Sequence, residues 1–335
     1  MYVTYFHRAP TDGQHSIERL FRDIRDALPK EIHYRVETCR FVTKGLYSCA
    51  YNMMKAIPAH GDVNHITGDV HYLAIALQGR KTILTVHDLV TLRRPRGIKW
   101  IVLYLLSYYI PINRAGIVTV VSESTKQQLL GQVRCDSAKI RLVYDCVSPL
   151  FKPEPFVFRK VKPTILQIGT SENKNVVRVA EALRGIQCHF RILGRLSQKQ
   201  IDGLHRNSIE YSSCYNISDR EVVNEYTQCD MLIFASTYEG FGMPIIEANA
   251  TGRPVLTSNI LCMPEVAGDA ACLVDPSNVD SIRSGVLRVI RDGAYREYLI
   301  DKGYENAKRF RADVIASQYS SLYRELLCED DAKKT

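Results

Sequence analysis

Short apolar runs alternate with stretches of helical periodicity along almost the whole chain. Runs of four to seven residues rich in β-branched and aromatic side chains are typical of buried strands. Their alternation with helical patterns predicts βαβ units and parallel sheets. The predicted strands are Tyr2–Phe6, Ile32–Thr38, Val63–Ile66, Lys81–Val86, Gly116–Val121, Lys139–Val143, Thr164–Ile168, His189–Leu193, Ile209–Ser212, Met231–Ala235, Pro254–Thr257 and Ala271–Val274.

The predicted strands fall into two groups of six, separated by a proline-rich junction at 149–155. Three prolines in these seven residues exclude a helix that continues across the junction. We therefore expect an α/β protein with two Rossmann-like domains, 1–150 and 151–311, each with a parallel sheet. In such sheets ligands bind at the carboxyl ends of the strands. The remaining residues, 312–335, begin with a helical pattern over Ala312–Leu327.

Composition agrees with two globular domains. The chain has 335 residues, of which 46% are hydrophobic and 24% charged, so it is not of the disordered class. Its ten cysteines form no Cys-x-x-Cys pair, which argues against a zinc site or a disulfide framework. The first residues lack the pattern of a signal peptide, so we expect a cytoplasmic protein.

Charge is concentrated in the first half. Residues 1–150 carry 20 Lys and Arg against 12 Asp and Glu, which accounts for the whole net charge of +8. The basic residues Arg93, Arg94, Arg96 and Lys99 precede the apolar run 101–112, which is too short for a span of about 20 residues.

Two interpretations of the segment 93–112 stay open. It could be a buried helix with solvated flanking charges, or a peripheral helix that rests on an anionic membrane surface. Trp100 and three tyrosines, Tyr104, Tyr108 and Tyr109, would suit such an interface. We expect no nucleic-acid partner, because no recognition motif accompanies the positive charge.

Two carboxylates, Glu239 and Glu247, flank a glycine-rich turn between a predicted strand and a short predicted helix. Gly240 and Gly242 allow the backbone to approach a ligand closely, and the start of the helix offers free N–H groups. This arrangement predicts that backbone amides hold an anionic diphosphate, while the two carboxylates accept hydrogen bonds from sugar or ribose hydroxyls.

The segment Ser236–Val255, together with Pro264–Pro276, resembles the donor-site signature of family 4 glycosyltransferases. These are retaining enzymes of the GT-B architecture, in which two Rossmann-like domains face each other across a cleft. The resemblance implies transfer of a sugar from a nucleotide-diphosphate sugar to a hydroxyl acceptor, either a sugar or a lipid-linked molecule, in cell-surface polysaccharide or glycolipid synthesis. It also implies that the helix in 312–335 crosses back to the first domain.

The resemblance assigns roles to residues of the turn. Glu247 is expected to hold ribose hydroxyls, and Glu239 to bind the donor sugar and steady positive charge at the anomeric carbon. The donor-binding segment comprises Gly240, Phe241, Gly242 and Met243, and amides of Phe241 and Gly242 are expected to stabilise the departing diphosphate.

Three other strand ends resemble parts of the family's site. In the loop after Ile168, Lys174 matches a lysine that contacts the diphosphate, whereas Thr170 stands where an arginine is common, so one phosphate contact is missing. His87 matches a histidine that points at the transferred sugar, and Asp88 either orients a ring or caps the next helix. Relatives often carry a glycine pair after the first strand that contacts the phosphates, and this chain has only Gly13 there.

Alternatives to these assignments also stay open. Lys174 could be an ordinary surface residue, although a cation at a helix start is unfavourable by about 0.3–1 kcal/mol unless an anion is bound there. The whole protein could be a GT-B nucleotide-sugar epimerase or a non-catalytic nucleotide-sugar-binding protein. No metal is expected, because no Asp-x-Asp triplet is present and Lys174 with the helix amides would neutralise the diphosphate.

Overall fold

The structure is a computed structural model, and it describes residues 1–10, 16–43, 45–93 and 97–332. It divides into two compact units. The first unit comprises Met1–Cys146 together with Ala312–Thr335, and the second comprises Val147–Arg311. Each described unit contains one six-stranded, wholly parallel sheet.

The first sheet has the strand order β2-β1-β3-β4-β5-β6. Most of its strand residues are buried on both faces, as expected of parallel strands covered by helices on each side. The strands are β1 (Tyr2–His7), β2 (His33–Thr38), β3 (Val63–Ile66), β4 (Thr82–Val86), β5 (Ile117–Val120) and β6 (Ile140–Leu142).

The described part of the first unit contains six α-helices. Helix α1 is amphipathic and buries Leu20, Phe21 and Ile24, while α13 contributes Tyr319 and Tyr323 to the same core cluster. The helices are α1 (Ser16–Asp26), α2 (Leu46–Ala56), α3 (Ile98–Tyr104), α4 (Ile110–Arg114), α5 (Glu123–Gln132) and α13 (Ala312–Ala332). A π-helical turn, Leu105–Tyr109, joins α3 to α4, so the predicted apolar helix of residues 101–112 is one irregular helical segment.

The second sheet has the order β12-β11-β10-β7-β8-β9, which is the strand order of a Rossmann fold. Its strands are β7 (Thr164–Ile168), β8 (His189–Leu193), β9 (Tyr211–Cys214), β10 (Met231–Phe234), β11 (Val255–Ser258) and β12 (Ala271–Val274). The predicted fold class, with two Rossmann-like parallel sheets, is therefore confirmed.

Seven helices cover the second sheet. They are α6 (Val176–Leu183), α7 (Gln198–Arg206), α8 (Asp219–Gln228), α9 (Met243–Thr251), α10 (Met263–Ala267), α11 (Val279–Arg291) and α12 (Gly293–Lys308). Capping boxes start two of them: Ser197 pairs with Gln200 at α7, and Ser218 pairs with Glu221 at α8. In α9 every residue from Pro244 to Thr251 is buried, so the packing of the unit fixes this helix firmly.

One predicted strand is displaced. The sequence pattern starts β9 at Ile209, but β9 starts at Tyr211. Ser208 has a positive φ of 52°, and the Ile209 amide donates to the Leu204 carbonyl, which closes the end of α7. Ile209 is apolar because it packs against the core from this helix-ending turn, and not because it lies in a strand.

Candidate functional site

The order of strands in the second sheet reverses between β7 and β10, which are neighbours. Ligands of open α/β sheets bind at such a switch point, outside the carboxyl ends of the strands. The loops that follow these two strands carry Thr170 and Lys174 on one side and Glu239 on the other. The topology thus brings together two segments that the sequence analysis singled out separately.

Lys174 and Glu239 form an ion pair between these two loops. Lys174 Nζ lies 2.6 Å from Glu239 Oε1, and the side chains are only 18% and 14% exposed. The ammonium group also lies over the Phe234 ring, 4.6 Å from its centroid. Because the pair is largely shielded from water, its charges interact more strongly than those of a surface pair. An anion that enters here would compete with Glu239 for the same ammonium group.

Asn173 holds the two loops in register. Its side-chain amide donates to the Tyr238 carbonyl at 2.8 Å and to Glu239 Oε1 at 3.2 Å. The backbone carbonyl of Asn173 accepts a hydrogen bond from the backbone amide of Thr237 at 2.8 Å. Asn173 was not identified from the sequence, although Asn173 is the immediate neighbour of Lys174 in the chain. Its role is visible only once β7 and β10 are known to be adjacent.

The turn after β10 leads into α9 through Gly242. This residue has φ 106° and is the N-cap of the helix. A Cβ added at Gly242 would lie 3.1 Å from Ile245 Cδ1, so both the backbone angle and the space favour glycine. Pro244 occupies the first turn, where its missing N–H costs no hydrogen bond.

The residues around Gly242 differ in exposure. Gly240 and Met243 are half-buried, whereas Phe241 is buried and packs edge-on against Phe310 at 5.6 Å. The first N–H groups of a helix have no partner within it and carry partial positive charge. In α9, Pro244 has no N–H and the Ile245 amide donates to the Gly242 carbonyl at 3.0 Å, so an anion there would be met by the amides of Gly242 and Met243 and by the positive end of the helix dipole.

Glu247 lies one turn into α9 and is almost completely buried, with 3% of its surface exposed. The Tyr226 hydroxyl, on α8, donates to Glu247 Oε2 at 2.7 Å. A buried carboxylate needs such partners to remain ionised at modest cost. Tyr226 was not identified from the sequence, because no local pattern marks a tyrosine 21 residues away as a partner.

Thr170 uses its side chain to join the loops after β7 and β8. Its hydroxyl donates to the Arg195 carbonyl at 2.8 Å. Arg195 itself is exposed, and its guanidinium group lies 5.7 Å from the centroid of the Tyr215 ring. An arginine thus stands in the loop next to the position where the family's arginine is replaced by Thr170.

In the first unit, His87 follows β4 and has its ring between two acceptors. Nε2 lies 2.9 Å from the Thr67 carbonyl oxygen, and Nδ1 lies 3.6 Å from Asp145 Oδ1. Asp88 accepts from the Val90 amide at 3.0 Å, so it stabilises the turn that follows β4. Asp145 was also missed by the sequence analysis. Gly13 lies outside the described residues.

The segment that follows the basic cluster presents an apolar face. Ile98, Ile101, Val102, Leu105 and Tyr109 recur at helical spacing and are exposed, Ile98 to 83%. Tyr108 is buried and packs on His71, so it does not belong to this face, contrary to the expected set of interface tyrosines. Arg94 and Arg96 lie outside the described residues.

The described residues contain neither a membrane-spanning helix nor a cluster of metal ligands. No helix among them is both long enough and apolar enough to cross a membrane. No cluster of three or more His, Cys, Asp or Glu side chains in the described parts of the chain could hold a metal ion.

Comparison with protein families identifies the chain. Residues 151–306 match the model of "Glycosyl transferases group 1", and residues 50–149 match that of "Glycosyltransferase Family 4". The chain belongs to the family 4 glycosyltransferases. The family predicted from the segments 236–255 and 264–276 is therefore confirmed.

Two curated relatives of this glycosyltransferase are named as mannosyltransferases. O-antigen chain mannosyltransferase B of Escherichia coli is 36% identical over 108 residues, which cover 32% of this chain and 28% of that protein. O-antigen chain mannosyltransferase RfbU of Salmonella typhimurium is 25% identical over 252 residues, covering 71% of this chain and 70% of the relative. The alignment with the first of these therefore spans less than a third of its length.

Solved structures share the fold at low sequence identity. Sucrose-phosphate synthase from Thermosynechococcus elongatus superimposes with a TM-score of 0.78 at 17% identity, covering 98% of this chain and all of that one. The Anabaena protein Alr3699/HepE, solved with UDP and glucose, has a TM-score of 0.76 at 15% identity and coverages of 97% and 100%. At these identities the likeness establishes the GT-B fold alone.

Proposed function

We propose that this protein is a retaining glycosyltransferase that moves a sugar from a nucleotide-diphosphate donor to a hydroxyl acceptor in cell-surface polysaccharide or glycolipid synthesis. The observation that carries the proposal is the Lys174–Glu239 pair at the switch point of the second sheet, 2.6 Å between charged atoms and beside the start of α9. A diphosphate would take Lys174 away from Glu239 and leave that carboxylate free for the donor sugar.

The chemistry assigned to this site needs no protein nucleophile. The acceptor oxygen forms a new bond to the anomeric carbon on the face from which the diphosphate leaves, and the bond between that carbon and the phosphate oxygen breaks. The acceptor's proton passes to the departing phosphate. Lys174 and the amides of Phe241 and Gly242 would stabilise the charge on the leaving group, and Glu239 the positive charge at the anomeric carbon. In this scheme no metal is required.

Binding of the nucleoside is assigned to α9. Glu247 would accept hydrogen bonds from the ribose hydroxyls, with Tyr226 fixing the orientation of its carboxylate. The relatives' names make a mannosyl nucleotide the first donor to test. The Anabaena complex with UDP and glucose makes UDP-glucose the second.

The test is a binding screen followed by a transfer assay. Calorimetric titration with GDP-mannose, UDP-glucose and their free nucleotides should show binding of one nucleotide sugar without added metal and in the presence of EDTA. NMR of the glycosylated product should show the anomeric configuration of the donor. Conversion of the donor in the absence of any acceptor would favour an epimerase, and donor binding without turnover on any acceptor would favour a sensor.

The exposed apolar face of α3 and the following turn supports peripheral contact with an anionic membrane, which would give access to lipid-linked acceptors. Ile98, Ile101 and Leu105 point to solvent, and four basic residues lie in the sequence at or just before the start of α3. Apolar side chains at the interface together with nearby cations are the combination that binds anionic lipid surfaces.

Co-sedimentation with vesicles tests this contact. The protein should bind vesicles that contain phosphatidylglycerol and not vesicles of phosphatidylcholine alone. Ile98→Asp should weaken the binding, whereas Val157→Asp, at a 90% exposed position of the second unit, should leave it unchanged. Equal binding by the two variants, or none by the parent protein, would remove the proposal.

A further inference from the structure

The surroundings of His87 define its protonation state by geometry. Both ring nitrogens face oxygen atoms that only accept: the Thr67 carbonyl at 2.9 Å from Nε2 and the Asp145 carboxylate at 3.6 Å from Nδ1. A neutral imidazole has one N–H donor and one acceptor nitrogen, so it would turn a lone pair towards one of these oxygens. An imidazolium, with two N–H donors, satisfies both contacts.

The requirements of Asp145 lead to the same conclusion. Its side chain is only 10% exposed, and a buried carboxylate is costly unless a cation or several donors accompany it. The structure gives it His87 as an ion-pair partner. The Phe21 ring packs edge-on against His87 at 6.0 Å and limits the freedom of the imidazole to turn away.

Other charged and titratable groups near His87 also favour the protonated form of its ring. Burial by itself lowers the pKa of His87, but Asp145, the Thr67 carbonyl and Asp88 outweigh burial, and the pKa is raised above its usual value. The two neighbouring imidazoles, His65 and His71, have their pKa values lowered by burial, so they stay neutral at pH 7 and do not repel it.

We propose that Asp145 is a positioning residue that keeps His87 as an imidazolium, with its Nε2–H donating to the Thr67 carbonyl and its Nδ1–H facing the Asp145 carboxylate as an ion pair. In transfer, His87 would then act as a fixed positive charge and not as a proton donor or acceptor. This role in transfer rests on the proposed function. The protonation state of His87 does not, and it can be measured without a substrate.

The first measurement is NMR titration of the histidine rings in the full-length protein, with His87 assigned from the His87→Gln spectrum. The His87 ring should titrate above the value of about 6.5 that an ordinary histidine has. In Asp145→Asn its pKa should fall, whereas Asp136→Asn, at an exposed turn of the same unit, should leave it unchanged. A parent His87 that loses its proton below pH 6.5 overturns the proposal even if Asp145→Asn fails to fold.

The second measurement is the pH profile of kcat/KM for transfer. In Asp145→Asn the alkaline limb should move to lower pH by the same shift as the ring titration, with activity recovered on acidification. A purely structural role of Asp145 would lower activity equally at all pH values, and that outcome overturns the assigned role in transfer. If no nucleotide sugar binds at all, the proposed function fails while the ring titration still decides the state of His87.

Discussion

The two units differ in where their histidines lie. In the second unit, the charges assigned to the site lie in loops and in α9 beyond the strand ends, and neither of its histidines, His189 and His205, is buried. In the first unit, His65 lies inside the core and hydrogen-bonds to buried hydroxyl groups. The His65 ring hydrogen-bonds through Nδ1 to the Tyr323 hydroxyl and through Nε2 to the Thr85 hydroxyl, each at 2.8 Å. The Tyr323 hydroxyl also hydrogen-bonds to the Tyr5 hydroxyl at 2.7 Å.

We therefore expect substitutions in the candidate site of the second unit to affect transfer more than stability. In the first unit, substitutions of the buried polar groups should affect stability as well. We expect that the charges of Lys174 and Glu239 can be removed with little effect on the packing below them. By contrast, the hydrogen-bonded cluster of the first unit connects three strands to α13, so its protonation and its hydroxyl groups should bear on folding. Each of the following changes tests one side of this comparison.

The largest effect is expected for Glu239→Gln. The amide retains an oxygen that can accept from Lys174 and Asn173, so the loops should keep their arrangement. The negative charge proposed to stabilise the anomeric carbon is lost, so transfer should fall about 10²–10³-fold, as for the loss of other preorganised electrostatic groups. Steady-state transfer and calorimetric donor affinity should be measured together.

The control for that change is Glu305→Gln, at an exposed position on α12 that pairs with Lys308. It should leave turnover unchanged. Turnover of the Glu239→Gln variant at the parental rate would contradict the role assigned to the carboxylate.

Acid should destabilise the first unit before the second. Burial and the charge of Arg25 lower the pKa of His7 to about 4, whereas in the unfolded chain a histidine titrates near 6.5. As the pH falls through this interval the unfolded state binds the proton first, so stability decreases by up to about 3 kcal/mol. His65 acts in the same direction, while the raised pKa of His87 opposes it.

Hydrogen exchange of the intact protein between pH 7 and 4, corrected for the intrinsic rate, would reveal the order of opening. The histidines of the second unit, His189 and His205, are not buried, so its peptides serve as the internal reference. His7→Gln should reduce the acid sensitivity of β1 and α1. If both units lose their protection from hydrogen exchange at the same pH, the expected difference in acid sensitivity between them is wrong.

Lys174→Met should weaken donor binding about 10- to 100-fold, roughly 1.4–2.8 kcal/mol, because it removes the largely buried cation that is proposed to bind the phosphates. Met keeps most of the chain that lies over Phe234. The loss should appear for a nucleoside diphosphate and be much smaller for the corresponding nucleoside. An equal loss for both ligands would show that Lys174 acts on the fold of the loop and not on the phosphates.

More of the candidate site of the second unit than of the first can be recognised in the sequence, because its residues lie close together in the chain. Glu239, Gly242 and Glu247 lie in one short segment whose strand, turn and helix are each visible in the residue pattern. Asp145 and Tyr226 meet their partners only through tertiary structure, and nothing in their local sequence distinguishes them. Which strand ends become neighbours depends on strand order, which the alternation of apolar runs does not specify.

The smallest effect is expected for Tyr323→Phe in the first unit. Its hydroxyl bonds both Tyr5 and His65 in a fully buried setting, so removing it leaves two polar groups without that partner. The cost should be about 1–2 kcal/mol in the free energy of unfolding, since an unmade buried hydrogen bond carries the desolvation of its partner. Urea unfolding measures it, and Tyr298→Phe on the exposed side of α12 should change the stability by less than about 0.5 kcal/mol. If Tyr323→Phe is as stable as the parent, the buried cluster does not anchor α13, and the coupling of polar groups to folding in the first unit must be given up.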